Sequence, residues 1–235
     1  MSLGLLLGIN PVLYNKKSRV ILFGMIVTYQ GIEFFKMQLG DMVLAFNPVS
    51  KESTFKTPRF GADVALITTN HPDLNGKDVV ALGDKQPFVL SGPGEYEVSS
   101  LFIKGFQSKS EYDGDKINTV YSLSLDNINI CFLGALSSPD LSPEIKGNVG
   151  DIDILFVPIG GQGVLNAAEA YKLAVKLEPR VIIPMHYGPI GDKDALKTFL
   201  KEGGVENLKA IDKLTVKRKD LDGKEAEIIV LEAQS

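Results

Sequence analysis

Residues 67–75 read Ile67-Thr68-Thr69-Asn70-His71-Pro72-Asp73-Leu74-Asn75, and the apolar run Val64-Ala65-Leu66 feeds into them. An apolar run that gives way to turn-forming polar residues predicts a buried strand ending at a sheet edge. One of the two histidines of the chain, His71, stands at that edge, two residues before Asp73. The other, His186, ends a second apolar run, Val181-Ile182-Ile183-Pro184-Met185. Two strand ends that each deliver an imidazole are a common way to build a metal or catalytic site.

Outward from this stretch, the first half predicts consecutive strands. Residues 26–29, 34–39 and 42–46 come first, with Gly40-Asp41 as a two-residue hairpin turn and Asn47-Pro48 closing the pair. Residues 51–57 read as a polar loop, 62–68 as the strand leading into the opening motif, and 78–82 and 87–90 as short strands. After the turn signal Ser91-Gly92-Pro93-Gly94, residues 95–104 read as one strand and 107–116 as a polar loop. A second hairpin joins 119–125 to 128–133 through Asp126-Asn127. Residues 137–150 read as a loop and 152–157 as a buried strand. Val164, Ala167, Ala168, Tyr171, Ala174, Val175 and Leu177 follow helical spacing, and Pro179 ends the helix. Residues 181–184 are a strand, and 192–202 a helix stopped by Gly203-Gly204. Residues 214–218 and 227–231 are expected to pair around Asp222-Gly223. Strands dominate and helices come late, which suits a single α/β domain with two sheets.

The chain has 235 residues, 44% hydrophobic and 23% charged, with a net charge of −4. That length can bury a sizeable core. The acidic balance lacks the basic footprint of a nucleic-acid binder, and no apolar run reaches the length of a membrane span. A lone cysteine, Cys131, lies in the apolar run 128–133 and predicts an inert core thiol in a reducing, cytoplasmic compartment. Residues 1–24 are expected to be a loosely ordered leader, with Met25 open as the working start, and 25–235 the domain itself.

Five segments in order carry a resemblance. They are Ala62-Asp63-Val64 to Asn75, Gly92-Pro93-Gly94-Glu95-Tyr96-Glu97, Asn118-Thr119-Val120-Tyr121, Asp153-Ile154-Leu155 through Gly160-Gly161, and Ile183-Pro184-Met185-His186-Tyr187. Together they resemble the metallo-β-lactamase superfamily, in its branch of small metal-dependent hydrolases that includes ascorbate-phosphate lactonase-like proteins. The resemblance implies an αββα sandwich, two mixed sheets face to face with helices outside and a site along one edge. It also implies up to two metal ions, usually zinc, held by an H-x-H-x-D-H motif, a later loop histidine, a bridging aspartate and a final histidine. Water bridging such ions becomes hydroxide near neutral pH and attacks esters, lactones, amides or phosphodiesters.

Carried over position by position, much of that ligand set is replaced. The first motif histidine falls at Thr69, the third at Leu74, the loop histidine at Ser110 and the bridging aspartate at Ala135. His71, Asp73 and His186 are retained, and an earlier Gly-His-Ser element reads Gly31-Ile32-Glu33. Two histidines cannot fill four imidazole positions. A catalytic zinc ordinarily takes three protein ligands and a water. The resemblance therefore leaves His71, Asp73 and His186 as the metal positions, with Asp73 and His71 as the catalytic candidates.

These residues either hold one weakly bound divalent ion, zinc by preference, with help from Glu111, Asp113 or Asp84, or hold no ion and form hydrogen bonds within a polar cleft. Asp73 is also explained, without excluding the first role, as a cap on its turn. Lys109-Ser110-Glu111 is expected to be an exposed polar loop, Tyr187 either a donor or a packing residue, and Gly160-Gly161-Gln162-Gly163 a tight strand-to-helix turn rather than a phosphate loop. Asp153 is expected to anchor a loop near the site. The expected function is that of a hydrolase-like protein with its metal site largely lost. The alternative is an active hydrolase of a small ester, lactone or phosphate-containing metabolite using a reduced mononuclear site. The partner expected is a small molecule, with no nucleic acid or membrane, and a homo-oligomer is left open.

Overall fold

The structure, a computed structural model, describes residues 24–234. Residues 1–23, and with them nearly all of the expected leader, lie outside the described residues. In chain order the elements are β1 (Met25–Tyr29), β2 (Phe35–Leu39), β3 (Met42–Phe46), β4 (Val64–Leu66), β5 (Phe88–Leu90), β6 (Gly94–Val98), β7 (Leu101–Ser110), β8 (Lys116–Leu125), β9 (Ile128–Phe132), α1 (Pro143–Asn148), β10 (Ile154–Pro158), α2 (Ala167–Lys176), β11 (Val181–Met185), α3 (Ala195–Glu202), β12 (Leu214–Val216) and β13 (Glu227–Ile228).

The strands form two mixed sheets, ordered β12-β1-β2-β3-β4-β5 and β13-β11-β10-β9-β8-β7-β6. Alternation along each strand decides which layer a residue joins. Leu44 and Phe46 of β3, Phe132 of β9, Phe156 of β10 and Ile183 of β11 point into the core between the sheets. Leu155, Val157 and Ile182 point the other way, onto Ala170, Leu173, Phe199 and Leu200 of α2 and α3. Val43, Ala45 and Ala65 line the outer face of the first sheet, covered by Ile32, Leu74, Val79, Val80 and Ala135 from loops and turns. This is the αββα sandwich, with its described helices gathered on the second sheet and loops covering the first. Each fully buried Phe, Leu or Ile contributes about 1.5–3 kcal/mol by leaving water.

Several expectations are corrected. Residues 95–104 are not one strand: β6 and β7 form a hairpin whose turn, Ser99-Ser100, has φ of 50° and 65° without a glycine. Residues 107–110 continue β7, so the loop expected over 107–116 shrinks to five residues. Residues 78–82 are not a strand; a 3-10 turn occupies Lys77–Val79. The loop expected over 137–150 contains α1, started by Ser142, whose side chain accepts from Ile145 N, with Pro143 in the first turn. The last two strands do not pair. β12 joins β1 in the first sheet and β13 joins β11 in the second, because Leu221 between them is buried in the core between the sheets.

Helix α2 begins with a capping box: Asn166 accepts from Glu169 N, and the Glu169 carboxylate accepts from Asn166 N. Asn166→Ala is expected to lower stability by about 1 kcal/mol, read as a shift of the urea midpoint at unchanged slope.

Asp153 does anchor structure, but at the opposite end of β10 from the histidine-bearing edge. Its carboxylate is 2.9 Å from Arg180 Nε and accepts from Asn129 N at 2.8 Å. Cys131 is buried, and burial pushes its thiol up to about 12, so it stays protonated and unreactive. Among the described residues no helix is long and apolar enough to cross a membrane.

Candidate functional site

Strands β3, β4, β9, β10 and β11 are linked by parallel pairings within each sheet. Their C-terminal ends bring the segments carrying the retained residues to one edge of the sandwich. Two segments join the sheets there: Thr119 N of β8 donates to Thr68 O after β4 at 2.9 Å, and His186 N donates to Ile32 O at 2.5 Å.

His186 follows β11 with φ of 60°, a left-handed conformation unfavourable for a residue with a Cβ. It is fully buried. Its Nδ1 lies 2.7 Å from Oε1 of the equally buried Glu33, while Nε2 has no partner among the described residues. Glu33 comes from the turn between β1 and β2. Its other oxygen accepts from Asn47 Nδ2 at 2.7 Å, and Asn47 also donates to Thr68 Oγ1 and accepts from Thr68 N, both at 2.8 Å. The Gly31-Ile32-Glu33 element therefore supplies the histidine's buried carboxylate, a role the sequence reading did not assign. Its signal was a lone acidic residue inside the apolar run Ile32-Glu33-Phe34-Phe35.

After β4 the chain turns tightly: Leu74 N donates to His71 O at 2.9 Å, and Asp73 N donates to His71 Nδ1 at 3.2 Å. The Asp73 carboxylate, expected as a cap on this turn, faces inward instead. Its Oδ1 accepts from Ser53 Oγ at 2.5 Å and its Oδ2 from the Tyr112 hydroxyl at 2.6 Å. His71 Nδ1 is 3.6 Å from Asp73 Oδ2, and its Nε2 is 3.4 Å from Asp113 Oδ2.

Tyr112 was missed by sequence reasoning, although it is the one aromatic residue in the polar stretch 107–116. Its ring stands between the two histidines, with centroids 4.8 Å from His71 and 4.8 Å from His186 and steep interplanar angles of 63° and 89°. Burial first, then the hydrogen bond to Asp73 and the nearby carboxylates, raise its phenol well above the usual tyrosine value, so it remains a protonated donor.

The replaced positions are absorbed into packing and hydrogen bonding. Leu74 and Ala135 are fully buried in the apolar cluster on the outer face of the first sheet, and Tyr112 packs against that cluster. Thr69 Oγ1 lies 3.1 Å from Asn118 Oδ1, which also accepts from Ala135 N at 3.0 Å. Ser110 is not exposed as expected; it ends β7 fully buried, and its Oγ accepts from Tyr112 N at 3.2 Å. Of the three carboxylates expected to help, Asp113 reaches His71, Glu111 pairs with Lys109 at 2.8 Å, and Asp84 is exposed in a turn between Leu82 and Lys85. Tyr187 packs between hydrophobic clusters and donates to Leu231 O at 3.3 Å.

The glycine run makes a strand-to-helix turn whose glycines are needed by the site. A Cβ on Gly160 would stand 2.2 Å from His186 O, and one on Gly163 would stand 2.7 Å from Tyr112 Cα. Among the described residues no group of three or more His, Cys, Asp and Glu side chains converges so as to hold a metal ion. The residues present therefore do not fit the two-metal centre that the resemblance implies.

A family profile described as a beta-lactamase superfamily domain matches residues 26–186. A UPF0173 protein of Pyrococcus furiosus is 38% identical over 154 residues, which is 60% of this chain and 73% of that protein. A UPF0173 metal-dependent hydrolase of the same organism is 29% identical over 185 residues, covering 66% of this chain and 79% of its own length. A solved structure of a metallo-beta-lactamase superfamily protein from Thermotoga maritima superposes with a TM-score of 0.71 at 28% identity, covering 89% of this chain and all of the other.

Proposed function

We propose, for a chain that belongs to the beta-lactamase superfamily, that it keeps the hydrolase scaffold while its metal centre is largely lost, so that it acts by binding rather than by zinc-dependent hydrolysis. Relatives named as metal-dependent hydrolases supply the ancestral chemistry. The observation that carries the departure is the burial of Leu74 and Ala135 in one apolar cluster against which Tyr112 packs. Methyl groups cannot ligate a cation, and a polar ligand restored among them would be buried away from its partners.

A small molecule is the partner this reading calls for. A cleft of about 500 Å³ opens beside the histidine-bearing edge, and Ile32 and Tyr187, which flank Glu33 and His186 in the chain, form part of its wall. That size falls within the usual range for small-molecule sites, roughly 300–1,000 Å³.

The test is metal content. Protein purified without chelator from zinc-supplemented cells is expected to carry transition metal well below one ion per chain by elemental analysis. A stoichiometric ion would sink the reading.

A second reading, a hydrolase with a reduced site, has one observation in its favour: His186 Nε2 is buried without a partner among the described residues. It requires that His186→Ala abolish both a bound ion and any ester, lactone or phosphate-ester turnover. Turnover that survives that change would exclude it.

A further inference from the structure

We propose that the cleft beside the histidine-bearing edge takes a neutral ring compound, aromatic or alicyclic. This rests on the reading above that the chain acts by binding a small molecule, and adds the chemical class of that molecule.

The cleft forms where the turn after β1, the turn after β11 and the tail that follows β13 meet. Its wall is mostly carbon: the rings of Tyr29, Phe55 and Tyr187 and the side chains of Leu196, Val230 and Leu231. The Tyr29 and Tyr187 rings have centroids 5.9 Å apart, and Tyr29 stacks on Phe35 of the core at 4.7 Å, so the aromatic wall is braced from inside. Phe55, Tyr187 and Leu196 are only half-buried, so apolar surface stands in water until something covers it.

The polar groups of the wall leave little for a charged ligand. Both phenols are committed to backbone carbonyls: Tyr29 donates to Ile32 O at 2.9 Å and Tyr187 to Leu231 O at 3.3 Å. Burial raises both well above the usual tyrosine value, so neither supplies a negative charge near neutral pH. The charged side chains of the lining are one cation and one carboxylate, Lys56 and Glu232, both exposed. A lining without net charge favours neither sign, and an ion drawn against carbon walls loses its hydration without return. A rigid ring system suits the walls, since it covers apolar area and has little conformational freedom to lose. The walls are themselves fixed. Gln234 N donates to Tyr29 O and Glu232 N to Ile211 O, each at 2.8 Å, which ties the tail down on both sides and preforms the cleft as small-molecule sites usually are.

The experiment is a fluorescence titration with N-phenylnaphthylamine, a neutral aromatic probe, and with its sulfonated analogue, anilinonaphthalene sulfonate. It is run on the full chain and on Ala210→Trp, Thr57→Trp and Lys56→Gln, with circular dichroism confirming the fold of each. Ala210 and Thr57 line the cleft and are half-buried, so tryptophan there fills the cleft rather than the core. Two positions keep the outcome readable if one variant misfolds. The wild-type chain is expected to bind one neutral probe with a Kd on the order of 10 µM, and the sulfonate roughly tenfold more weakly. Each tryptophan variant is expected to weaken the neutral probe by about tenfold or more. Lys56→Gln is expected to change it by less than about twofold, as a rim charge does. The proposal is overturned if the neutral probe does not saturate, if both folded tryptophan variants bind it as the wild type does, or if the sulfonate binds more tightly than the neutral probe. Each of these overturns this inference alone, because none bears on metal content. Stoichiometric metal in the wild-type protein overturns the functional reading, whatever the probes show.

Discussion

Glu33→Ala is expected to cost about 3–5 kcal/mol of stability, the usual loss when one member of a buried ionisable pair is removed. The carboxylate is fully buried and holds two groups at once, His186 Nδ1 and Asn47 Nδ2, each at 2.7 Å. Its removal strands His186 Nδ1 and takes from Asn47 Nδ2 one of its two acceptors, leaving only Thr68 Oγ1, in a region closed to water, and burial of unsatisfied polar groups is where the penalty arises. His186 already has one nitrogen unpartnered among the described residues, so in this variant both ring nitrogens would lack a partner there. Guanidinium or urea denaturation reads the loss as a lower midpoint at unchanged slope. Glu33→Ala/His186→Ala should lose less than the sum of the two single changes, since neither partner remains to be stranded. A loss below about 1 kcal/mol for Glu33→Ala would mean that the pair is not the structural tie described here.

Gly160→Ala is the second large effect, expected at about 3 kcal/mol, the upper end for overpacking a closed interior. The added methyl would meet the carbonyl oxygen of His186 at 2.2 Å and its imidazole Cδ2 at 2.9 Å. Retreat is restricted, because His186 N is bonded to Ile32 O and its ring to Glu33. Gly147→Ala is the matched control. It lies in α1 with no atom within 4 Å of its added Cβ, so it is expected to be neutral or to stabilise by up to about 1 kcal/mol. Equal behaviour of the two variants in a thermal melt would contradict the close packing at Gly160.

The fold was legible where periodicity and turn chemistry agreed. Gly40-Asp41 and Asp126-Asn127 marked hairpins that form as expected, and the apolar run 152–157 forms the buried strand β10. It was illegible where a local signal was weak or a distant one decided. Ser99-Ser100 turns with two positive φ values and no glycine, a conformation that serine seldom advertises. The last two strands carry a hairpin signal at Asp222-Gly223, yet Leu221 packs into the core between the sheets and sends the chain from one sheet to the other.

The candidate site was legible as a location and less so as chemistry. His71, Asp73 and His186 come to the same edge, but whether residues share a contact depends on what stands between them. Tyr112 lies in a stretch whose composition reads as solvent-exposed loop, and only its placement between the two imidazoles gives it a role. Glu33 and Asn47 were hidden for a similar reason: a buried carboxylate is recognisable only by its partners, and its histidine partner is 153 positions away in the chain.

That separation bears on how the molecule assembles. A contact spanning 153 residues closes a loop that takes in most of the strands of both sheets, and its entropic cost is met only once nearer contacts have shortened the effective path. The β7–β8 and β8–β9 hairpins, whose strands adjoin in sequence, can form early. The Glu33–His186 bond belongs to the end of folding, when two largely finished sheets come into register. The edge that carries both histidines is thus the latch expected to close last.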